Sequence, residues 1–397
     1  MKEIFDKLRE DIEIPEIVNK KAEDAFEKIY AECKDNTKEL EIKNIKPTKR
    51  HNLKKMTVVV AAAVMLCAVT TAAAVLKWSQ SLSEGMQVSE DQMKNVENSG
   101  MNKFVEQSCT DNGITVTAIQ SITDNYYTHI AFRVEGFEIE EGKQPDFEEF
   151  DITVDGKDDF GISAGFWDGI VSDNNGNLIT TDGKPLAKDK DGRIMENYVL
   201  DNGTMEYHIT LFNHTEEKGK FFGKPIHVEL KNLGTVDKAE YFSGIEGNWT
   251  FDWTLAGADT TEVYEPDFML EDTEAVVKKI EVSPISIMVE YDFPRQETEE
   301  EYTDENGETG TVTMFEEPPF ATGVKLKDGT VIKYLYMGPG GGGYEDENSD
   351  TYSFLLASDR VIDVDEIESI LFLKPVDGTV NEYSESEFYE VPLLNKK

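Results

Sequence analysis

Hydrophobic and polar positions divide the chain into three regimes. Residues 57–76 read TVVVAAAVMLCAVTTAAAVL, 20 residues without charge, Gly or Pro. At about 1.5 Å rise per residue such a helix is about 30 Å long, the thickness of a bilayer's hydrocarbon core. Before it, the apolar positions step by three and four. Ile4, Phe5, Leu8 and Ile12 share one face over 2–12, and Val18, Ala22, Ala25, Phe26, Ile29 and Cys33 share another over 16–33, after Pro15. That spacing predicts two short amphipathic helices. Residues 34–55 are polar and basic around Pro47 and read as a linker, and 77–110 are polar and read as a stalk.

Beyond residue 110 the period becomes two. GITVTAI (113–119) and YYTHIAFRVEG (126–136) alternate across a polar turn at Thr123-Asp124-Asn125, and EYHITLF (206–212), IHVEL (226–230) and NWTFDWTL (248–255) follow. A second run opens with AVVKKIEVSPISIMVEYDF (275–293), two strands joined through Ser283-Pro284. It continues through hairpins at Asn306-Gly307 and Asp328-Gly329 to TYSFLLA (351–357), SILFL (369–373) and FYEVPLL (388–394). Asp-Gly and Asn-Gly pairs punctuate both runs, as hairpin turns require. The pattern therefore predicts a mainly β protein: a helical head and linker over 1–55, a transmembrane helix over 56–76, a stalk over 77–110, and two tandem β-sandwich domains over 111–260 and 272–397.

Charge orients this layout. Residues 1–55 carry 14 basic and 13 acidic side chains, 56–76 none, and 77–397 carry 25 basic against 67 acidic, so that the net charge of −41 sits in the C-terminal body. Lys43, Lys46, Lys49, Arg50, Lys54 and Lys55 precede the apolar run without an acidic residue among them, and Trp78 follows it. The positive-inside bias places the N-terminus in the cytoplasm and the body outside a cell membrane crossed once. A cleaved signal peptide with an A-x-A site at 72–74 would need an n-region of about 55 residues and an apolar core longer than the usual 7–15 residues. A body this acidic is repelled by nucleic acid and by anionic lipid. One cysteine in each region (Cys33, Cys67, Cys109) precludes a disulfide within the body, which must stand on its hydrophobic cores.

Candidate chemistry is sparse. The glycine run at 338–343 lacks the Lys and Ser/Thr of a phosphate loop and leads into Tyr344, Glu345 and Asp346, so it reads as a flexible loop between strands. Asp189, Asp191 and Gly192 fit positions 3, 5 and 6 of a calcium loop, yet Ala187 and Tyr198 stand where its end carboxylates belong. Glu345, Asp346, Glu347 and Asp350 form an acidic cluster read as solvated. His129, His208 and His227 lie singly in strand-like segments and His214 in a turn, without metal-pair spacing, and Cys33 with His51 does not make a zinc head. Trp249 and Trp253 share a strand face, as core residues do. No catalytic residue, cofactor or metal site is expected.

Several of these segments resemble a known family. IPEIVNKKAEDAFEKIY (14–30), the basic run and span to residue 76, and NGITVTAIQSITDNYYTHIAFRVEG (112–136) are similar to a domain-of-unknown-function family of Gram-positive single-pass membrane proteins. Many of these are encoded beside ECF-type sigma factors and regarded as anti-sigma-like. EGNWTFDW (246–253) closes the first external domain in the same style. VKKIEVSPISIMVEY (277–291) with VKLKDGTVIKYLYMGPGGGG (324–343) resembles a second domain of unknown function, Ig-like in character. The resemblance implies no cofactor. It implies a regulator whose head binds a sigma factor, with Ile4, Phe5, Leu8, Val18, Phe26 and Ile29 as the expected contacts, and whose Ig-like domains sense an envelope signal or ligand. The alternative from another class is a surface binding or adhesion protein with a simple membrane anchor.

Overall fold

A computed structural model describes residues 78–397, apart from 141, 191, 201, 214–216, 238–239, 304–308, 376–386 and 395–397. The predicted head helices with their six contact residues, the basic run Lys43–Lys55 and the span at 57–76 lie outside the described residues. Among the described residues no helix is long and apolar enough to cross a membrane.

The described chain is mainly β. Two helices lead in, α1 (Gln80–Ser83) and α2 (Glu90–Ser99). The first group of strands is β1 (Asn102–Asp111), β2 (Ile114–Thr123), β3 (Tyr127–Glu135), β4 (Gln144–Val154), β5 (Gly161–Phe166), β6 (Ile170–Ser172), β7 (Leu178–Thr180), β8 (Met205–Phe212), β9 (Pro225–Asp237) and β10 (Glu240–Thr254). They form a five-stranded sheet in the order β1-β2-β3-β8-β5, a three-stranded sheet β10-β9-β4 and a small β6–β7 ribbon. All the pairings are antiparallel, and the alternation in the sequence sets which residues face inward. Ile130, Phe132 and Val134 of β3 meet Val228, Leu230, Trp249 and Phe251 of the smaller sheet in one core. Trp249 is wholly buried, its indole N–H donating to Ile114 O at 3.1 Å, and Phe147 packs edge-on against it.

The second group is β11 (Glu262–Tyr264), β12 (Phe268–Met269), β13 (Val276–Val282), β14 (Ser286–Asp292), β15 (Glu297–Thr303), β16 (Thr309–Phe315), β17 (Ala321–Leu326), β18 (Val331–Ile332), β19 (Gly340–Tyr344), β20 (Thr351–Ala357), β21 (Ile367–Leu373) and β22 (Phe388–Pro392). One sheet runs β11-β13-β14-β20-β19 with β12 also on β13, another runs β18-β17-β21-β22, and β15–β16 is a separate hairpin. Val277, Ile280, Val289 and Tyr291 of the first sheet and Val324, Ile370 and Phe372 of the second enclose a second core.

Two sequence expectations are corrected. Residues 77–110, read as a polar stalk, are folded from Trp78 onward: α1, α2 and β1 occupy them. Their polar composition belongs to an exposed face, while Leu82, Met86, Val88, Val96 and Met101 are buried. Ser79 and Ser89 supply N-caps, the latter in a full capping box with Gln92, and Gly100 ends α2 in the left-handed conformation. The glycine run, read as a flexible loop, is largely the strand β19. A Cβ at Gly340 would lie 2.0 Å from Leu355 O, and one at Gly342 would lie 2.3 Å from the Phe354 ring. Close approach to β20 thus requires glycine there and overrides its poor strand propensity.

Candidate functional site

The feature that stands out is a joint where the leading segment and both groups of strands meet. Trp78 is 8% exposed and donates its indole N–H to Glu97 Oε1 at 2.7 Å. Ser79 N donates to Gln120 Oε1 at 3.0 Å, and the N–H groups of Gln80 and Ser81 donate to the two oxygens of Glu206 at 3.0 and 2.7 Å. A buried carboxylate on β8 thereby satisfies the free amides at the start of α1. On the other side Gln92 Nε2 donates to Val361 O at 3.1 Å and Val361 N to Met86 O at 2.9 Å. The apolar filling is a third buried cluster. It takes Leu82, Met86 and Val96 from the leading segment, Ile122, Tyr126, Tyr127 and Ala131 from the first sheet, and Ile285, Met288, Leu355 and Val361 from the second group.

Polar contacts bind the two groups beside this cluster. Asp124, in the turn between β2 and β3, is fully buried. Its Oδ1 accepts from Tyr126 N at 2.8 Å and Tyr127 N at 2.7 Å, and its Oδ2 accepts from the hydroxyls of Ser283 and, at 2.5 Å, Ser286. Burial pushes its carboxyl above the usual range against the pull of these four donors. Glu281, also buried, accepts from Tyr126 Oη at 2.8 Å and pairs with Lys218 at 2.5 Å and with Lys279. Burial works against its charge, but the two ammonium groups and the phenol outweigh it and hold the carboxyl below its ordinary value. The neighbouring Asn125 donates to Asp259 Oδ1 and Thr261 Oγ1.

The structure also brings together two histidines that are 79 positions apart. On the adjacent strands β3 and β8, His129 Nδ1 lies 3.3 Å from His208 Nε2 and 3.2 Å from Thr210 Oγ1. His129 is buried, its Nε2 without a hydrogen-bond partner, and Tyr127 stacks on it at 6.2 Å. Burial pushes His208 down to about 4; burial and then His208 push His129 well below its ordinary value. Both rings are therefore neutral at pH 7. From the same wall, Tyr127 Oη donates to Pro339 O at 2.8 Å.

Next to the joint opens a groove of about 640 Å³. Phe212, Asn213 and Lys218 line one side, and Lys279, Met288, Glu290, the glycines of β19 and Tyr344 line the other. Its chemistry is that of a binding groove: a strand edge, paired charges and a partly apolar floor. Glu345 of the acidic run lines it as well, and the other residues considered in the sequence that follow lie apart from it. His227 pairs with Asp252 at 2.9 Å on an exposed strand face, and Trp249 and Trp253 belong to the first core. Asp189 accepts from Arg193 N within its own turn, and Cys109 is a free, half-buried thiol. His214 and Asp191 lie outside the described residues. Among the described residues no group of three or more His, Cys, Asp or Glu is placed to hold a metal ion. The sequence reading missed Glu206 and Glu281, whose only local signal is a carboxylate between apolar or aromatic neighbours, and Asp124, which a polar turn conceals.

No curated protein matches the chain. Among solved structures it is similar to the crystal structure of the conserved domain protein from Bacillus anthracis. The two are 16% identical, 74% of this chain and 87% of that chain are covered, and the TM-score is 0.37. Residues 48–136 match the profile of a domain of unknown function (DUF4179), a stretch that runs from the basic flank through the charge-free run, both joint helices and the first three strands to Gly136.

Proposed function

We propose that the protein is a single-pass membrane regulator of anti-sigma type. In this reading residues 57–76 cross the cell membrane, the six basic residues from Lys43 to Lys55 hold the N-terminus in the cytoplasm, and the β region lies outside. The two sheet pairs act as tandem Ig-like sandwiches that sense an envelope signal. The head helices hold a sigma factor through Ile4, Phe5, Leu8, Val18, Phe26 and Ile29.

One observation carries the coupling. The described structure starts at Trp78, two residues after the apolar run in sequence, and the chain just beyond is tied to Gln120 and Glu206 on one side and to Val361 on the other. A span attached to such a joint has no slack, so a change in the joint reaches the membrane helix directly. A free stalk would dissipate it. That the matched family segment bundles the basic flank, the run, the joint helices and β1 to β3 supports the same unit.

The test is capture from the host's membranes. The tagged full chain, purified in mild detergent, should bring down a sigma factor identified by mass spectrometry, and Leu8→Asp with Phe26→Asp should release it while the chain still reaches the membrane. Recovery of no sigma factor, or recovery indifferent to those substitutions, refutes the reading. In the latter case, a phenotype unchanged by deletion of residues 2–34 would favour the simple anchor.

A further inference from the structure

The edge of β19 is unusually bare. Among the described strands it ends its sheet, with β20 its one paired neighbour, and its four glycines are all exposed. Two bonds outside the strand set the phase of the ladder: Ala357 N donates to Pro339 O at 3.2 Å, and Glu345 N donates to Thr351 O at 3.0 Å. Bonded and unbonded pairs alternate in an antiparallel ladder. With Gly341 opposite Leu355 and Gly343 opposite Ser353, those odd-numbered positions are the bonded ones. Gly340, Gly342 and Tyr344 therefore turn their N–H and C=O groups away from β20, toward the open side.

Natural sheet edges are blunted by lysines, prolines, bulges or a covering element. Here the aromatic rings of Phe354 and Tyr352 fill the places of the missing side chains at Gly342, which hold the strand flat, while a Cβ at Gly341 or Gly343 would meet nothing within 4 Å. The strand is kept extended on its packed face and carries no side chain over Gly340–Gly343, Tyr344 at its end being packed by Phe315 and Arg295, and it lies beside a groove with room for a second chain. Charge selects the occupant. The strand runs into Glu345, Asp346, Glu347 and Asp350. Lys218 and Lys279, which line the groove with Glu290 and Glu345, are both engaged by the buried Glu281, so these five groups together carry one net negative charge.

We propose that the free edge of Gly340–Tyr344 takes an extended, cationic polypeptide segment as an added strand. Main-chain bonds to Gly340, Gly342 and Tyr344 supply the affinity, as in other strand-addition sites, and the acidic surroundings supply the preference for positive charge. The inference deepens the reading of the β region as an outward sensor, yet its test is separate: loss of peptide binding leaves sigma-factor capture untouched, and the reverse.

The experiment uses the full chain in mild detergent and a peptide of about twelve alternating Lys and Val residues, with an alternating Glu and Val peptide as control. Binding is read by fluorescence anisotropy, and exchange of individual amides by mass spectrometry with residue-level fragmentation. The Lys peptide should bind at micromolar concentration and the Glu peptide not. Binding should slow exchange about tenfold or more at Gly340, Gly342 and Tyr344, without change at Gly341 and Gly343, whose amides already face β20. Gly343→Lys, at a position with open space for the side chain, should weaken the Lys peptide several-fold, and Gly343→Glu should not. Absence of binding overturns the proposal. So does binding without slowed exchange at those three amides, which would mean diffuse attraction to an acidic surface. Slowed exchange there that rises with protein concentration and without peptide would assign the edge to a second copy and equally overturn it.

Discussion

The histidine pair makes a pH response of the first group of strands calculable. His208→Gln keeps a side-chain amide in reach of His129 and removes one titrating ring. His208 is pushed down to about 4 by burial, from 6.5. A lowered folded value means the folded state holds fewer protons than the unfolded chain between those two values. The stability that depends on the neutral ring is therefore complete above pH 6.5 and is lost progressively as the pH falls toward 4. At 1.36 kcal/mol per pH unit the loss is ~2 kcal/mol at pH 5 and under ~0.1 kcal/mol at pH 7.5. The ring keeps some solvent contact, and halving its shift still leaves ~1.5 kcal/mol at pH 5. Removing His208 also removes the second cause that lowers His129, which acts in the same direction.

The wild-type pH profile alone conceals this term. Asp359, pushed up to about 6 by burial with Arg360 pulling the other way, binds its proton more tightly in the folded state and favours folding as the pH falls from 6 toward 3.8. The difference between variant and wild type cancels Asp359, which is common to both. Pulse proteolysis in urea, scored on the β region, measures that difference. The variant should gain about 1.5–2 kcal/mol relative to wild type on going from pH 7.5 to pH 5. A pH-independent difference would show that His208 titrates like a solvated histidine, and one of opposite sign that its charged form is favoured in the fold; either refutes a ring held neutral by burial.

Three further outcomes follow from other parts of the structure. Asp124→Ala strands two amides and two serine hydroxyls in a dry site and should cost about 3–5 kcal/mol in urea unfolding, whereas Asp124→Asn, which keeps one acceptor oxygen, should cost less than half of that. Trp249→Ala, removing a wholly buried ring and its bond to Ile114 O, should cost about 3–5 kcal/mol and lower the midpoint of the first core. Glu206→Ala should release the start of α1, seen as faster trypsin cleavage after Lys94 and Lys103 with the near-ultraviolet circular dichroism of the body retained; unchanged cleavage would show that the apolar contacts of Leu82 and Met86 alone hold the segment.

What the sequence made legible is what one strand or one turn decides by itself. β2, β3, β8, β13 and β14 each carry their inward face as alternate apolar residues, and hairpin turns at Asp-Gly and Asn-Gly need no distant partner. The joint obeys a different logic, because its polarity is spent on tertiary partners. Thr123-Asp124-Asn125 has the composition of an exposed turn, and only the arrival of Ser283 and Ser286 from 159 and 162 positions away makes it a buried hub. His129 and His208 look solitary for the same reason, and β19 looked like a loop because its missing side chains are supplied by Tyr352 and Phe354.

A common cause lies behind these failures. Asp124, Glu206 and Glu281 sit where the first and second groups of strands, or the leading segment, press on one another. At such a contact a buried carboxylate or imidazole is costly unless every donor and acceptor is met. An arrangement that depends on several such residues at once is therefore more sensitive to the relative placement of the two groups than either hydrophobic core is. A ligand that adds a strand to β19 acts on the neighbour of β20, whose Leu355 and Ala357 belong to the joint's buried cluster. The residues least legible in the sequence are thus the ones through which a signal at the groove would reach Trp78.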